Sequence, residues 1–470
     1  MMAPPLLRRI LVMTALAVLA GTFPGVPARA SAWEAAWEQV LFLPDPGARI
    51  VAVAIRFPAG SASDPVGAEG RAFLFARVLE ATANQQLAAL QARVQVEVAP
   101  LEFLVTVLAP PTGWSEAVRE VETLLQTTTP SDALLESTRS NHLQILRFEE
   151  GSPGRAFERE RATLLLGTTH PAARPVQGTV GTLPGLGVAD LVAFRSEHLR
   201  DATGTIVVTG PIAEADVRSA FGSAVTLPAP GRRSEMPPVP LPPAPPAPPP
   251  TTVAGAGTTA EAGTPPAAPL LRVPSQAAAL RIPPPGSSRL AWDAGDRTVL
   301  DRHITATWMA MAFPFPEGSP PLMLDFLAHL VIENLNRSPP DPGLYESSVS
   351  VEQIRGAPVI VISASVDPFR SSEWETRLSG AFEVLGDSPP VGAFFELTRR
   401  RFRSRLIMEM AAPENVVIWT ARRAELGWDR IGDPEQEIWL LTSEAVADAA
   451  RGAGPLRTLL YGPQGLGRGD

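Results

Sequence analysis

The chain has no cysteine and, among its 40 basic residues, no lysine, while histidine occurs 5 times and tyrosine twice. Without cysteine there is no disulfide to staple the fold and no thiolate to serve as nucleophile or metal ligand. The core must hold the structure alone. The histidines, His142, His170, His198, His303 and His329, are scattered. The one tempting spacing, His329 with Glu333 at i, i+4, lacks the third ligand a metal site needs and reads as a surface or interface pair. No Gly-x-Ser-x-Gly elbow and no phosphate-cradling glycine loop in a strand-to-helix setting is present, which leaves nothing for serine-hydrolase or nucleotide chemistry. The absence of lysine reads as a GC-rich coding bias, so no arginine is taken as a functional choice over lysine.

What is present suffices for more than one packed domain: 470 residues, 45% hydrophobic and 19% charged. The first thirty residues run from Arg8-Arg9 through the apolar stretch ILVMTALAVLAG to VPARA, the order of a secretory signal, with cleavage expected after Ala30 or at Ala32. The apolar stretch is shorter than the roughly 20 residues that span a bilayer, so export is expected rather than anchoring. The general secretory route is favoured over the twin-arginine route, and the mature protein is expected to be periplasmic or secreted, with no membrane span. Residues 1–30 carry three arginines and no acid, so their removal takes the formal charge from −9 to −12. That balance argues against nucleic acid or an anionic membrane surface as partner.

Residues 36–224 alternate strand and helix signals. VLFLP and ARIVAVAIRFPAG flank a Pro-Asp-Pro-Gly turn and read as an antiparallel hairpin. The helix GRAFLFARVLEATA follows, and then VQVEVAPLEFLVTVLAPP reads as two strands meeting near Pro100. TGWSEAVREVETLLQ is helical with Ser115 as cap, and SDALLESTRSNHLQILRFEE with Ser131 or Asp132. FEEGSPGRAFERERA reads as a solvated helix surface of alternating charge. TGTIVVTGPI closes the unit as a buried strand.

Residues 228–289 are rich in Pro, Ala and Gly. Pro237 to Pro250 holds ten prolines in fourteen residues. Such a stretch neither pairs into a sheet nor continues a helix, and in polyproline II it spans roughly 43 Å, which suits a stiff linker. From 290 to 465 the order recurs: strand at HITATWMAMAF, amphipathic helix at PLMLDFLAHLVIENL, strands at YESSVSVEQI and APVIVISASVDP, helices, and a last strand at PLRTLLYGP. This is a divergent internal duplication, and the fold class expected is α+β, two homologous two-layer α/β sandwich domains joined by the Pro-rich linker.

IRFPAGSASDPVGAEGRA, GTTHPAARPVQGTVGTLPGLGVADLVAFRSEHL and TIVVTGPI, in this order and spacing, resemble the N-terminal domain of the insulinase-type (M16, inverzincin) zinc peptidases, with the second half similar to that family's second domain (LuxS/MPP-like). The resemblance implies a zinc site. In active relatives the first helix carries His-x-x-Glu-His, two imidazoles for Zn²⁺ and a glutamate base, with a third ligand, a Glu, from a later helix. Here the matching positions are Phe73, Ala76 and Arg77, with Gln144 at the third ligand. No metal ligand remains among them, so no cofactor is expected. Tyr345 and Arg337 are the approximate matches to a substrate-contacting Tyr and Arg of the family's second domain.

The resemblance thus implies an exported, catalytically inactive member, a structural or substrate-holding subunit paired with an active zinc peptidase relative and able to hold an extended peptide along a sheet edge. A standalone periplasmic peptide-binding or scaffold protein, perhaps as a homodimer, is the alternative. A hydrolase with relocated catalytic residues has no nucleophile and base in the sequence to support it.

Overall fold

The computed structural model describes residues 37–200, 204–221, 225–226, 297–337, 341–354, 357–423 and 434–463. The signal peptide expected over 1–30 and the linker expected over 228–289 lie outside the described residues. Among the described residues the chain is α+β, with two mixed sheets of six and five strands.

The first sheet contains β1 (Trp37–Pro44), β2 (Val51–Phe57), β3 (Arg93–Ala99), β4 (Glu102–Ala109), β5 (Gly204–Gly210) and the short β6 (Val225–Thr226). Their order is β3-β4-β2-β5-β1-β6. The hairpin expected of β1 and β2 does not form. β5 lies between them, parallel to β1 and antiparallel to β2. The Pro-Asp-Pro-Gly turn is there, but its Asp45 N–H donates to the carbonyl of Gly210 at the end of β5, so the chain steps over one strand instead of folding back. Gly210 has φ +147°, and a Cβ on it would stand 2.9 Å from the Cα of Val51, so glycine is what lets β2 pass this close. β5 is buried along nearly its whole length, and pairing on both edges is what satisfies its backbone there.

The helices of this half are α1 (Arg71–Gln86), α2 (Trp114–Thr127), α3 (Asp132–Glu150), α4 (Pro153–Leu166), α5 (Val188–His198) and α6 (Glu214–Phe221). α2 begins at Trp114 with Gly113 as cap, two residues before the Ser115 expected as cap. Ser131 caps α3 by accepting from the Leu134 N–H. α1 and α5 cover one face of the sheet, where Phe75, Phe103 and Phe194 meet with centroids 5.8–6.0 Å apart.

The second sheet holds β7 (Arg297–Asp301), β8 (Thr307–Pro314), β9 (Leu344–Ile354), β10 (Ala357–Val366) and β11 (Arg457–Gly462), ordered β7-β11-β8-β10-β9. Strand for strand this repeats β1-β5-β2-β4-β3, including the one parallel pair, β7 with β11, so the duplication read from the sequence is also a duplication of topology. Its helices are α7 (Pro321–Leu335), α8 (Ser371–Asp387), α9 (Gly392–Met410), α10 (Pro413–Arg423), α11 (Pro434–Leu440) and α12 (Ser443–Arg451). α7 was expected to be amphipathic, but the run from Phe326 to Val331 is buried without a break because α8, α9, α11 and α12 surround it.

Each sheet has its own helices on one face and a helix of the other half on the opposite face. α10 lays Val417 and Ala421 on Leu41, Ala52, Ala54, Leu104 and Val207 of the first sheet. In return α4 lays Phe157, Leu165 and Leu166 on Ala310, Ala312, Val359, Val361, Leu459 and Tyr461 of the second. The alanines Ala52, Ala54, Ala310 and Ala312 leave room for a helix to come close. This corrects the reading of FEEGSPGRAFERERA as solvated surface. Its Phe157 is buried against Trp308 and Tyr461, at 5.7 and 6.3 Å between centroids, and its Arg161 Nη1 reaches Glu352 of β9 at 2.5 Å. Burial opposes the Arg161 charge, but Glu352 and Glu158 outweigh it and its pKa moves up.

Candidate functional site

A cleft of about 1220 Å³ opens between the halves, with α1 and β3 on one side and β9 and α10 on the other. α1 reaches it from a rigid start. Gly70, at φ +96°, precedes the helix, and the buried Asp64 accepts from the Gly70 and Ala72 N–H groups, both at 3.0 Å. Burial pushes the Asp64 carboxyl up to about 6, against the pull of those two donors and Arg71. Gly178, at φ +75°, packs onto Gly70, and Thr182 Oγ1 donates to the Glu69 carbonyl at 2.8 Å, so the loop before α5 clamps the start of α1.

Phe73, Arg77, Glu80 and Asn84 recur at helical spacing and form one stripe of α1 along the cleft and the β3 edge. Phe73 lies against His142 of α3, with ring centroids 4.4 Å apart and planes tilted by 35°. The Arg77 guanidinium stands 5.3 Å from the Phe73 ring, pairs with Glu80 at 2.6 Å, and donates from Nη2 to the Val96 carbonyl of β3. Ala76 points into the core and is fully buried. Phe73 and Arg77 are therefore brought together in the cleft, and Ala76 is not.

Gln144 does not join them. It is exposed, and the α3 residue that reaches Phe73 is His142, two positions away and so nearly on the opposite side of the helix. Burial, and then Arg77 as a minor contributor, lowers the His142 pKa against the hydrogen bond to Gln177 and the charge of Glu149. Its Nε2 lies 3.2 Å from the Gln177 carbonyl, so that nitrogen carries the proton and donates. These side chains do not fit a zinc ion. Phe73 and Ala76 offer no donor atom, Arg77 brings a fixed positive charge, and the single imidazole spends Nε2 on a carbonyl.

The other expected residues lie elsewhere. Tyr345 is 58% exposed at the start of β9, and neither it nor Arg337 lines the cleft. The Arg337 guanidinium sits 4.5 Å over Phe394 instead. His329 is buried, with Nε2 4.0 Å from Glu333, whose carboxylate pairs with Arg401 at 2.5 Å. Burial, with Arg405 and Arg401, lowers the His329 pKa to about 3. His329 lines a second cavity of about 530 Å³ with Asp325, Arg405 and Trp419, at the place where the duplication repeats α1, α3 and β3 as α7, α9 and β9.

Two features, one beside the cleft and one across it, escaped the sequence reading. One is Asn84, whose side chain accepts from the Val94 N–H and donates to the Val94 carbonyl, both at 2.9 Å. Its place seven residues after Arg77 was the available signal. The other is Arg422 of α10, which reaches Glu97 at 2.8 Å and the buried Glu102 at 2.9 Å and so bridges the halves across the cleft. Neither Glu97 nor Arg422 belongs to any short motif.

The paired sheets, the cleft between them and the helix at its wall form a fold that is also found in solved M16-type structures. Among solved structures the chain is similar to a peptidase M16 inactive domain from Pseudomonas fluorescens, at 15% identity and TM-score 0.66, over 92% of this chain and 96% of that one. It is also similar to a chain of complex III2 from Candida albicans with Inz-5 bound, at 12% identity and TM-score 0.59, over 90% and 93%. A third likeness is to the periplasmic protease PqqL from Escherichia coli, at 12% identity and TM-score 0.60, over 89% of this chain and 43% of that one. No family model and no curated protein matches the sequence. Among the described residues no helix is long and apolar enough to cross a membrane.

Proposed function

We propose that this chain is an exported, non-catalytic protein of M16 fold that serves as a structural subunit beside a zinc-bearing relative. The observation that carries the reading is the pairing of Phe73 with His142 and of Arg77 with Val96 and Glu80 on the cleft wall. Hydrolysis of a peptide there requires a base and an activated water, and a guanidinium beside an aromatic ring supplies neither. No cofactor is part of this reading.

The charges of the cleft point the same way. Arg77 is paired with Glu80, Arg161 with Glu352 and Arg422 with Glu97. They knit the chain to itself, which suits a wall better than a reacting centre. Export is supported by the order of Arg8-Arg9, apolar stretch and VPARA at the start of the sequence.

The test is to purify the mature chain, measure its zinc by mass spectrometry and assay cleavage of a quenched fluorescent peptide, alone and with an exported His-x-x-Glu-His-bearing chain of the same source. The expected result is no stoichiometric zinc, no cleavage by this chain alone, and a stable complex of the two. Stoichiometric zinc or cleavage by the chain alone overturns the reading. A stable homodimer that ignores the zinc-bearing chain favours a standalone scaffold.

A further inference from the structure

The second cavity, of about 530 Å³, is walled by α7, α9, α10 and β9, and Glu97 of β3 is its contribution from the first half. That volume falls within the range of small-molecule pockets, about 300–1,000 Å³. Its lining includes the apolar side chains of Leu322, Ile332, Met410, Ile418 and Trp419, together with three arginines and three acids.

Two of the arginines are bonded to carboxylates of the chain. Arg423 donates to Asp325 at 2.6 Å, and Arg422 donates to Glu97 at 2.8 Å and to Glu102 at 2.9 Å. Arg405 of α9 is held differently. Its guanidinium lies 5.0 Å from the Phe402 ring centroid, and its Nη1 stands 3.4 Å from Nδ1 of the buried His329. Burial and the charges of Arg405 and Arg401 keep that imidazole neutral at pH 7, so Nδ1 accepts and the proton sits on Nε2. Among the described residues the one carboxylate within 4.0 Å of Arg405 is Glu409, at 3.8 Å from Nε, which is beyond hydrogen-bond distance. A ring face and a neutral imidazole thus fix a cation in the cavity wall, its side chain 31% exposed and bonded to no carboxylate of the chain. A guanidinium with open N–H groups matches a carboxylate in fork geometry.

We propose that this cavity binds a small apolar monocarboxylate, with its carboxylate on Arg405 and its hydrocarbon body against Leu322, Ile332, Met410 and Trp419. One negative charge is what the site accommodates. Asp325 and Glu97 are engaged by Arg423 and Arg422, and Glu409 faces the same cavity, so the second charge of a phosphate or a dicarboxylate meets repulsion there. A metal ion fits poorly, because Asp325 is bonded to Arg423, His329 Nδ1 takes the Arg405 N–H, and the guanidinium repels a cation.

The test is isothermal titration calorimetry on the full mature chain with decanoate, kept below its micellar range, and with decanol as the uncharged counterpart of equal length. Wild type is expected to bind one decanoate per chain, and to bind decanol at least about tenfold more weakly because the charge-assisted bonds are missing. Arg405→Met removes the guanidinium and should weaken decanoate binding at least about tenfold. Arg400→Met, at an exposed arginine of α9 that does not line the cavity, should leave it unchanged. If Arg405→Met does not fold, Arg405→Lys takes its place, keeping the charge without the fork and binding decanoate about threefold more weakly. Absence of saturable decanoate binding by wild type, equal affinity for decanol, retained affinity in the Arg405 variant, or an equal loss in Arg400→Met overturns the proposal. Neither zinc nor a second subunit enters these measurements, so failure here is distinct from failure of the subunit reading.

Discussion

Replacing Glu102 with glutamine tests how the two halves are locked together. Glu102, on β4, is 1% exposed, and its carboxylate accepts from Arg56 Nε of β2 at 2.8 Å and from Arg422 Nε of α10 at 2.9 Å. Arg422 extends the network to Glu97 at 2.8 Å. Burial works against the Arg422 charge, yet Glu102 and Glu97 outweigh it and its pKa moves up, so the cation is kept. Glutamine preserves the shape and one acceptor but removes the negative charge that two buried guanidinium groups face. Removing one partner from a buried, hydrogen-bonded ion pair costs about 3–5 kcal/mol. The retained acceptor places Glu102→Gln at the low end, about 3 kcal/mol. Arg422→Met leaves the Arg56–Glu102 contact in place and loses two charge-assisted bonds, one to the partly exposed Glu97, for about 2 kcal/mol. Equilibrium urea unfolding, followed by tryptophan fluorescence and far-ultraviolet circular dichroism, reads both. Because Glu102 and Arg422 come from different halves, the double variant also yields their coupling, expected at about 1–3 kcal/mol. A cost below about 1 kcal/mol for Glu102→Gln, or no coupling, would refute the reasoning and mean that α10 does not sit on the first sheet in solution.

Phe157→Ala is expected to lose about 3–5 kcal/mol, since the ring is 1% exposed between α4 and the second sheet, and urea midpoints measure it. Acidification should unmask His329: its folded pKa is about 3 against 6.5 for the free side chain, so the unfolded chain takes up the proton first. Its contribution is complete above about pH 6.5 and falls as pH drops toward 3, by about 2 kcal/mol between pH 7 and 5. His329→Gln should remove that share of the pH dependence, and an unchanged slope counts against a buried neutral imidazole. Gly60→Ala should cost more than about 2 kcal/mol by thermal or urea unfolding, because the new Cβ would overlap the Ala99 carbonyl oxygen and stand 2.7 Å from the Glu102 nitrogen.

Local chemistry was legible in the sequence, and non-local pairing was not. Pro100 marked the break between β3 and β4, Ser131 capped α3 as expected, and the recurrence of strand, helix and two strands exposed the duplication. The placement of β5 between β1 and β2 depends on a strand some 150 residues away, which no turn signal encodes. α10 was passed over although Pro413 at its start, Glu414 in its first turn and Arg422-Arg423 in its last are ordinary boundary signals. α4 was taken for surface because a helix that packs on a distant sheet keeps its charges at the rim of the contact and shows only Phe157 and the leucines at its end as apolar anchors. In the site, Phe73, Ala76, Arg77 and Gln144 were picked out by the family resemblance; Phe73 and Arg77 line the cleft, Ala76 faces the core, and Gln144 is exposed on α3, about 200° round the helix from His142.

The reciprocal seating of α4 and α10 also bears on self-association. Two contacts of the same kind, each joining a helix of one half to a sheet of the other, close equally well within one chain or between two identical chains, which would give a domain-swapped dimer with twofold symmetry. No new surface is needed for the exchange. What decides between the forms is the concentration of free chains against the effective concentration of a tethered half, of millimolar order for a short flexible tether and lower for a longer one. Dilute solutions therefore favour the closed monomer, while concentrated or refolded material is where exchanged pairs collect.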